Sequence, residues 1–338
     1  MADFQGSSGV VPSELLQAQN PAICFVSNIG DAVLTLPTLR ALGEMFTAPL
    51  TLICPKVAFD LCFREVSHRH VDTTGLPLTG PRPASAQRAR DYETLASEIG
   101  AVDLFIDTLT WNALSGIVVR PLVERLAPTT TVGFPTDYAY DIVVSNEACH
   151  AADQVFKLAR LFDPSLRIDT YTQPLPIPPL VMEKARSIRA AVPDGAKVLV
   201  VHADTDWTEK RWPVTRFIQL LDRFLELHRD FVVWVVGMGH EELDAGRDRD
   251  RVFPQLGLPL DLAMGLVANA DLFLGIDSCM LHAADLARVP GVGLFGATRA
   301  ATWGFRFGPH RHVDRATMAD ISVPEVLDAM NDLAQEHA

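Results

Sequence analysis

The sequence has no apolar run that approaches the roughly 18–20 residues of a membrane-spanning helix. Its first 20 residues also lack the basic and apolar regions of a secretory signal. We therefore expect a cytoplasmic protein that has no transmembrane segment and makes at most peripheral contact with a membrane.

Cysteine and positive charge are both scarce. The cysteines are Cys24, Cys54, Cys62, Cys149 and Cys279, an odd number of scattered residues in mostly apolar surroundings, so neither a disulfide framework nor a zinc site is indicated. The chain has 29 Lys and Arg against 42 Asp and Glu, a formal net charge of −13. Because nucleic-acid binding needs clustered basic residues, we expect no nucleic-acid partner.

The length and the apolar content favour a globular protein of two domains. The chain has 338 residues, of which 48% are apolar. Its most informative stretch is Gly275–Thr298, GIDSCMLHAADLARVPGVGLFGAT. Apolar runs at Asp271–Ile276 and Gly291–Phe295 predict two buried parallel strands. A helix is predicted between them, and Pro290 ends it.

Asp277 and Ser278 stand where this predicted helix begins. The N-terminus of a helix favours an anion, often a phosphate, because backbone N–H groups and the helix dipole point toward it. The stretch therefore indicates a candidate phosphate site. The alternative interpretation is that Asp277 and Ser278 only cap the helix and that His282 is a half-buried structural histidine.

The first half of the chain predicts the start of a doubly wound sheet. A buried strand at Ala22–Ser27 is followed by a turn at residues 28–30, a helix at Asp31–Phe46 and a strand at Leu50–Cys54. Pro37 is expected to kink the helix or to mark where its first turn passes into the main body. Further predicted elements are helix Val57–Val66, loop Gly75–Ala89, helix Tyr92–Ile99, strand Val102–Asp107, helix Ser115–Leu126, edge strand Thr131–Phe134 and helix Ala151–Phe162.

Four prolines between Tyr171 and Leu180 predict an extended linker. We place the domain boundary there, with domains at residues 1–175 and 176–338, and consider that a terminal helix at residues 323–337 packs back on the first domain. The second half predicts strand Lys197–His202, helix Pro213–Leu227, strand Phe231–Gly237, helix Leu260–Ala270 and, after the central stretch, loop Arg299–His312. The expected fold class is α/β, two Rossmann-like doubly wound domains that face each other across a cleft.

Ligands of such sheets bind at the carboxyl ends of the strands, which limits the candidate residues. Asp31 follows the first strand and is a candidate base, or a plain helix-terminal aspartate. The polar loop with Thr205 and Lys210 suits a diphosphate, or is only a solvated loop. Glu241 or Glu242 could hydrogen-bond a ribose. Gly237-Met238-Gly239 does not complete a GxGxxG pattern, so a nicotinamide cofactor is not indicated.

Three segments together resemble the signature regions of the ADP-heptose heptosyltransferase family, glycosyltransferase family 9. They are SNIGDAVLTLPTLRAL at Ser27–Leu42, TDWTEKRWP at Thr205–Pro213, and GIDSCMLHAADL with LFGAT inside Gly275–Thr298. The resemblance extends from about residue 22 to about residue 312. It implies the GT-B fold and an inverting, metal-independent glycosyltransferase without a cofactor, whose donor is typically an ADP-activated heptose bound by the second domain.

Carried over by position, the resemblance implies a role for each matching residue. Asp31 is then the general base that takes the proton of the acceptor hydroxyl, and Lys210 stabilises the leaving diphosphate. The remaining implied donor contacts are Thr205 at the phosphates, Glu241 at the ribose, Asp277 at the donor sugar, and Ser278, Cys279 and His282 at the helix start. Candidate acceptor contacts are Asn28, Gly30, Arg82, Arg88 and Arg90.

Two features depart from the family pattern. Cys279 stands directly after the Asp-Ser pair, where many members have glycine, so backbone approach to the donor can differ. Residues 1–175 carry 12 Lys and Arg against 19 Asp and Glu, a poor match for a phosphorylated glycolipid. We therefore favour a neutral or cationic acceptor among the possible glycans, glycolipids, proteins and small molecules, although Arg82, Arg88 and Arg90 could serve an anionic group.

Two other classes of function remain open on the sequence alone. A nucleotide-sugar epimerase or hydrolase of the same fold would consume the donor without an acceptor. A non-catalytic nucleotide-sugar-binding scaffold would keep the fold and tolerate the loss of Asp31.

Overall fold

A computed structural model describes residues 4–6, 12–74, 76, 85–110 and 115–337. Tertiary contacts divide the chain into two compact units, residues 1–172 and 173–338. The second unit begins with the proline-rich segment, which has no regular secondary structure from Gln173 to Pro178. The predicted boundary at residue 175 lies inside this segment.

The first unit is built on one twisted sheet with helices. Its described strands are β1 Phe4–Gly6, β2 Pro21–Cys24, β3 Thr51–Cys54, β4 Arg69–Asp72, β5 Leu104–Asp107, β6 Thr130–Gly133 and β7 Ile142–Val144. They lie in the order β1-β7-β6-β5-β2-β3-β4. All neighbours pair in parallel except β1, which is antiparallel to β7. Apart from β1, this is the strand order 3-2-1-4-5-6 of the Rossmann fold.

The first unit has several helices, and one of them, α1 (Ile29–Met45), is buried on nearly all sides. They are α1 Ile29–Met45, α2 Lys56–Ala58 with a π-turn at Phe59–Phe63, α3 Ser85–Ile99, α4 Arg120–Leu126 after a π-turn at Ser115–Val119, and α5 Ala151–Phe162. Every residue of Ala32–Leu42 in α1 is buried. α5 and the turns at Phe59–Phe63 and Ile168–Tyr171 pack against this helix. Asp31, in its first turn, is therefore carried on a fixed support.

The second unit contains a parallel sheet of six strands in the order β10-β9-β8-β11-β12-β13. The strands are β8 Lys197–His202, β9 Phe231–Gly237, β10 Val252–Leu256, β11 Leu272–Ile276, β12 Gly291–Phe295 and β13 His310–Asp314. The helices are α6 Pro179–Ala190, α7 Val214–Leu227, α8 Leu260–Ala268, α9 Cys279–Leu286, α10 Ala300–Trp303 and α11 Val323–Glu336. This order is again 3-2-1-4-5-6, so the α/β class with two Rossmann-like units is confirmed.

The core of the second unit includes the terminal helix. Val326, Met330 and Leu333 of α11 are fully buried and belong to the same cluster as the apolar residues of β8, β9 and β11. α11 packs on α7 and on β13. Packing of this helix against the first unit stays a prediction.

Several element predictions were wrong, mostly at strands with polar side chains. β6 was predicted as an edge strand but lies between β5 and β7. β4 (RHVD) and most of β13 (HRHVD) were missed because their sequences contain no apolar run. The helix α1 is continuous through Pro37, and the expected kink there stays a prediction. α3 begins at Ser85, inside the predicted loop, whose residues 75 and 77–84 lie outside the described ones.

None of the helices among the described residues is both long and apolar enough to cross a bilayer.

Asp107 is a fully buried carboxyl at the carboxyl end of β5. Tyr140 donates a hydrogen bond from its hydroxyl to Oδ2, and the backbone N–H of Leu109 donates to Oδ1 at 3.0 Å. Burial nevertheless raises the pKa of Asp107 from 3.8 to about 7. The native protein thus retains a proton on Asp107 at pH values where the unfolded chain has lost it.

This difference predicts a pH-dependent stability that Asp107→Asn removes. Between the unfolded pKa of 3.8 and the folded pKa of about 7, ionisation of Asp107 favours the unfolded state, so its contribution to stability falls as pH rises. We expect the melting temperature of Asp107→Asn relative to wild type to increase between pH 5 and pH 8. A difference that stays constant over this range, or that changes in the opposite direction, would contradict the raised pKa.

Candidate functional site

The strand order of each sheet reverses at one point, where open α/β sheets bind their ligands. In the second sheet this point lies between β8 and β11, which are paired in parallel with Gly275 opposite His202. The loop after β8 and the start of α9 after β11 therefore meet at the same edge. In the first sheet the reversal lies between β2 and β5, and Asp31 follows β2.

Lys210 and Asp277 form an ion pair at the switch point of the second sheet. The Nζ of Lys210 lies 2.6 Å from Oδ2 of Asp277, and the two side chains are only 17% and 7% exposed. Thr298, just after β12, donates from Oγ1 to the same Oδ2 at 2.8 Å. The Nε2 of His282 lies 3.7 Å from Oδ1 of Asp277. The structure thus brings the predicted donor-site residue Lys210 to two others, Asp277 and His282, from a distant part of the sequence.

The helix start beside this cluster has no side-chain cap. Ser278 is the N-cap residue of α9, but its side chain makes no cap hydrogen bond. Its Oγ is buried and has no hydrogen-bond partner among the described residues. Asp277 accepts from Lys210 and Thr298 instead. The capping interpretation is therefore wrong for both residues, and the amino end of α9 keeps a donor-rich surface beside a lysine.

The loop after β8 is held at several points, which fixes Lys210. Trp212 at its end is buried and donates from Nε1 to the carbonyl of Ile321 at 3.1 Å. Thr205 accepts from the backbone N–H of Trp207 at 3.0 Å through Oγ1. The half-exposed ring of Trp207 lies 4.7 Å from Nζ of Lys210. Aromatic and carboxylate groups thus both contact the ammonium.

The side chains of His202 and Cys279, at the same edge of the second sheet, are uncharged at neutral pH. Burial lowers the pKa of His202, whose Nδ1 lies 2.9 Å from the carbonyl oxygen of Val236. Burial raises the pKa of the Cys279 thiol to about 11, so it is not a nucleophile at neutral pH. Cys279 also has no positive φ, so its backbone does not require the glycine that many family members carry there.

The predicted residues of the first unit lie at the start of α1. Asn28 is the N-cap residue, is exposed, and makes no side-chain cap hydrogen bond. Gly30 and Asp31 belong to the first turn and are partly exposed. Ser27 donates a hydrogen bond from Oγ to Oδ2 of Asp31. One carboxylate oxygen of the predicted base is thereby oriented by a residue of the short connection between β2 and α1.

Four predicted contacts lie wholly or partly outside the described residues. Arg82 is outside them entirely, and the side chains of Arg88, Arg90 and Glu241 are outside as well. The backbones of Arg88 and Arg90 belong to the helix α3. Glu241 begins a short 3₁₀ turn, Glu241–Asp244, after the loop that follows β9.

Sequence reasoning missed two polar residues of the second unit. Thr298 was treated as the end of a motif and given no role, although it hydrogen-bonds Asp277. Asp204 precedes Thr205 and accepts hydrogen bonds from the loop after β9. Its position at the carboxyl end of β8 was a signal available from the sequence, but its partner loop was not.

The described residues contain no group of three or more His, Cys, Asp or Glu side chains arranged to hold a metal ion. Lys210 and the start of α9 are positive groups at the switch point, and they suit an anionic ligand such as a diphosphate.

Solved structures of similar fold include several glycosyltransferases. A glycosyltransferase family 9 protein from Veillonella parvula is 17% identical, with 96% of this chain and 99% of that chain covered and a TM-score of 0.75. The ADP-heptose lipopolysaccharide heptosyltransferase II of Escherichia coli is 15% identical, with 94% and 100% covered and a TM-score of 0.66. E. coli heptosyltransferase WaaC, solved with ADP, is 14% identical, with 94% and 99% covered and a TM-score of 0.63.

The two Rossmann-like units and these similarities define the GT-B fold. A family model described as glycosyltransferase family 9 (heptosyltransferase) matches residues 121–321, more than half of the chain. The protein belongs to glycosyltransferase family 9. No curated protein matches the chain with significance.

The low exposure of the Lys210–Asp277 pair predicts strong energetic coupling. Removing one partner leaves the other charge buried and uncompensated, so Lys210→Met and Asp277→Asn should each lower the free energy of unfolding. The double variant should lose less than the two single variants combined, with a coupling energy of about 1–3 kcal/mol. Urea unfolding of the four proteins measures this energy, and additive losses would show that the pair is not coupled.

Proposed function

We propose that the protein is an inverting glycosyltransferase that moves a sugar, most simply a heptose, from an ADP-activated donor to an acceptor hydroxyl. The observation that carries this proposal is the Lys210–Asp277–Thr298 cluster beside the uncapped start of α9. Membership in the heptosyltransferase family supports the choice of donor.

In the proposed reaction the second unit holds the donor. Lys210 and the backbone N–H groups at the start of α9 bind the diphosphate and stabilise the negative charge that develops as it leaves. The Ser278 hydroxyl, which has no partner among the described residues, supplies a further hydrogen bond to a phosphate oxygen. Asp277 releases Lys210 to the diphosphate and accepts hydrogen bonds from the donor sugar. Glu241 holds the ribose.

The first unit supplies the base. Asp31 takes the proton of the acceptor hydroxyl, and the hydroxyl oxygen forms a bond with the anomeric carbon while the bond from that carbon to the diphosphate breaks. The hydrogen bond from Ser27 orients the carboxylate. ADP leaves with both bonding electrons, and attack on the face opposite the leaving group inverts the configuration. No cofactor or metal ion takes part in the proposed reaction.

The acceptor is proposed to be neutral or cationic. The first 175 residues carry an excess of Asp and Glu, 19 against 12 Lys and Arg, so an anionic acceptor would approach a surface of like charge. The partners of the proposed enzyme are thus an ADP-sugar donor and a neutral or cationic glycan, protein or small molecule.

Loss of the base tests the reaction directly. Asp31→Asn keeps the size of the side chain and removes its basicity, so transfer should fall by about 10²–10⁴-fold while ADP affinity is unchanged. Asp91→Asn, an exposed aspartate on α3, is the matched control. Products are measured by mass spectrometry with and without acceptors. Donor consumption without acceptor would indicate an epimerase or hydrolase, and full activity of Asp31→Asn would exclude this role of Asp31.

Loss of the cation tests the donor site. Lys210→Met removes a charge-assisted hydrogen bond to the diphosphate and should raise the Kd for ADP about tenfold. We expect this in a buffer that contains EDTA, because the lysine rather than a metal ion holds the phosphates in the proposal. Lys184→Met, at an exposed lysine of α6, should leave the Kd unchanged. Equal ADP affinity of the Lys210 variant and wild type, or ADP binding that requires a divalent cation, would contradict the proposed site.

A further inference from the structure

Asp204 connects the loop after β8 to the loop after β9. Its Oδ2 accepts hydrogen bonds from two successive backbone N–H groups, that of Met238 and, at 3.2 Å, that of Gly239. Its Oδ1 lies 3.2 Å from Nε2 of His240. One carboxylate thus contacts three consecutive residues of the neighbouring loop, and its side chain is only 23% exposed.

The backbone of this loop fits Asp204 closely at one position and is strained at another. Gly237 has φ of +150°, and a Cβ at that position would overlap the carboxylate of Asp204. His240 has φ of +71°, which is uncommon for a residue with a side chain. Such a conformation persists when its surroundings enforce it, and here the imidazole contacts Asp204 and lies 3.4 Å from Oε1 of Glu242.

The two successive N–H groups form a concavity that would otherwise attract an anion. Asp204 fills it with a negative charge belonging to the chain itself. A phosphate is therefore disfavoured at this loop and favoured at Lys210 and the start of α9. The loop is followed directly by Glu241, which comes after His240 and begins the 3₁₀ turn.

We propose that Asp204 is a positioning residue for nucleoside recognition, which holds the loop Gly237–His240 and thereby fixes where the turn Glu241–Asp244, the proposed ribose contact, begins. This inference rests on the proposed function of the donor site. Asp204 itself does not touch the substrate. Its loss should therefore weaken recognition of the ribose and leave recognition of the phosphates intact.

The experiment compares the binding of ADP, 2′,3′-dideoxy-ADP and inorganic pyrophosphate to wild type and Asp204→Asn. We expect the Kd for ADP to rise about tenfold, which corresponds to about 1.4 kcal/mol, with the Kd values for dideoxy-ADP and pyrophosphate unchanged. In steady state the KM for the donor should rise while kcat is maintained. Asp206→Asn, an exposed aspartate of the same loop, is the matched control and should behave as wild type.

A second variant tests the same inference in case Asp204→Asn does not fold. His240→Asn removes the imidazole, and asparagine tolerates a positive φ, so the same selective loss of ADP affinity is expected in a smaller amount. Parallel losses for ADP and pyrophosphate, or no loss for ADP, would overturn the inference. So would a wild-type protein that binds pyrophosphate but does not prefer ADP over dideoxy-ADP. A wild-type protein that binds neither ADP nor pyrophosphate would instead contradict the proposed function, and the inference would fall with it.

Discussion

Parallel pairing of β8 with β11 is the constraint on which the proposed donor site depends. It places the carboxyl ends of two strands from distant parts of the sequence side by side, with Gly275 opposite His202. Lys210 and Asp277 can form their 2.6 Å contact only because of this pairing. The neighbouring pair, β8 with β9, brings Asp204 to the loop after Gly237 in the same way. The strand order thus determines which polar residues are in contact, and the chemistry of their side chains determines which ligand they can bind.

The sequence was informative where burial and chain connectivity leave few choices. Predominantly apolar runs such as KVLVVH and FVVWVVG predict strands, and observed strands have the same bounds, Lys197–His202 and Phe231–Gly237. Strands β4 and β13 were missed because a strand at the edge of a sheet needs no continuous apolar run. The site residues Lys210 and Asp277 were predicted by position, yet their direct ion pair was not, since side-chain partners depend on strand order.

The two units use the same architecture for different chemistry. In the second unit the switch point carries a lysine and a helix start with no side-chain cap, both suited to negative charge. In the first unit it carries carboxylates, Asp31 after β2 and the buried Asp107 at the end of β5. Burial raises the pKa of Asp107 to about 7 and Tyr140 hydrogen-bonds its carboxyl group, whereas Asp31 is partly exposed. The difference in burial thus distinguishes Asp107, a structural carboxyl group, from Asp31, which is accessible from solvent.

The helix α1 imposes a limit on how this enzyme can be engineered. Eleven consecutive positions, Ala32–Leu42, are packed inside the first unit, so substitutions there alter the interior before they alter selectivity. A directed library aimed at new acceptors should keep this helix as wild type. Under the proposed role of the first unit in acceptor binding, diversity is better introduced at the exposed Asn28.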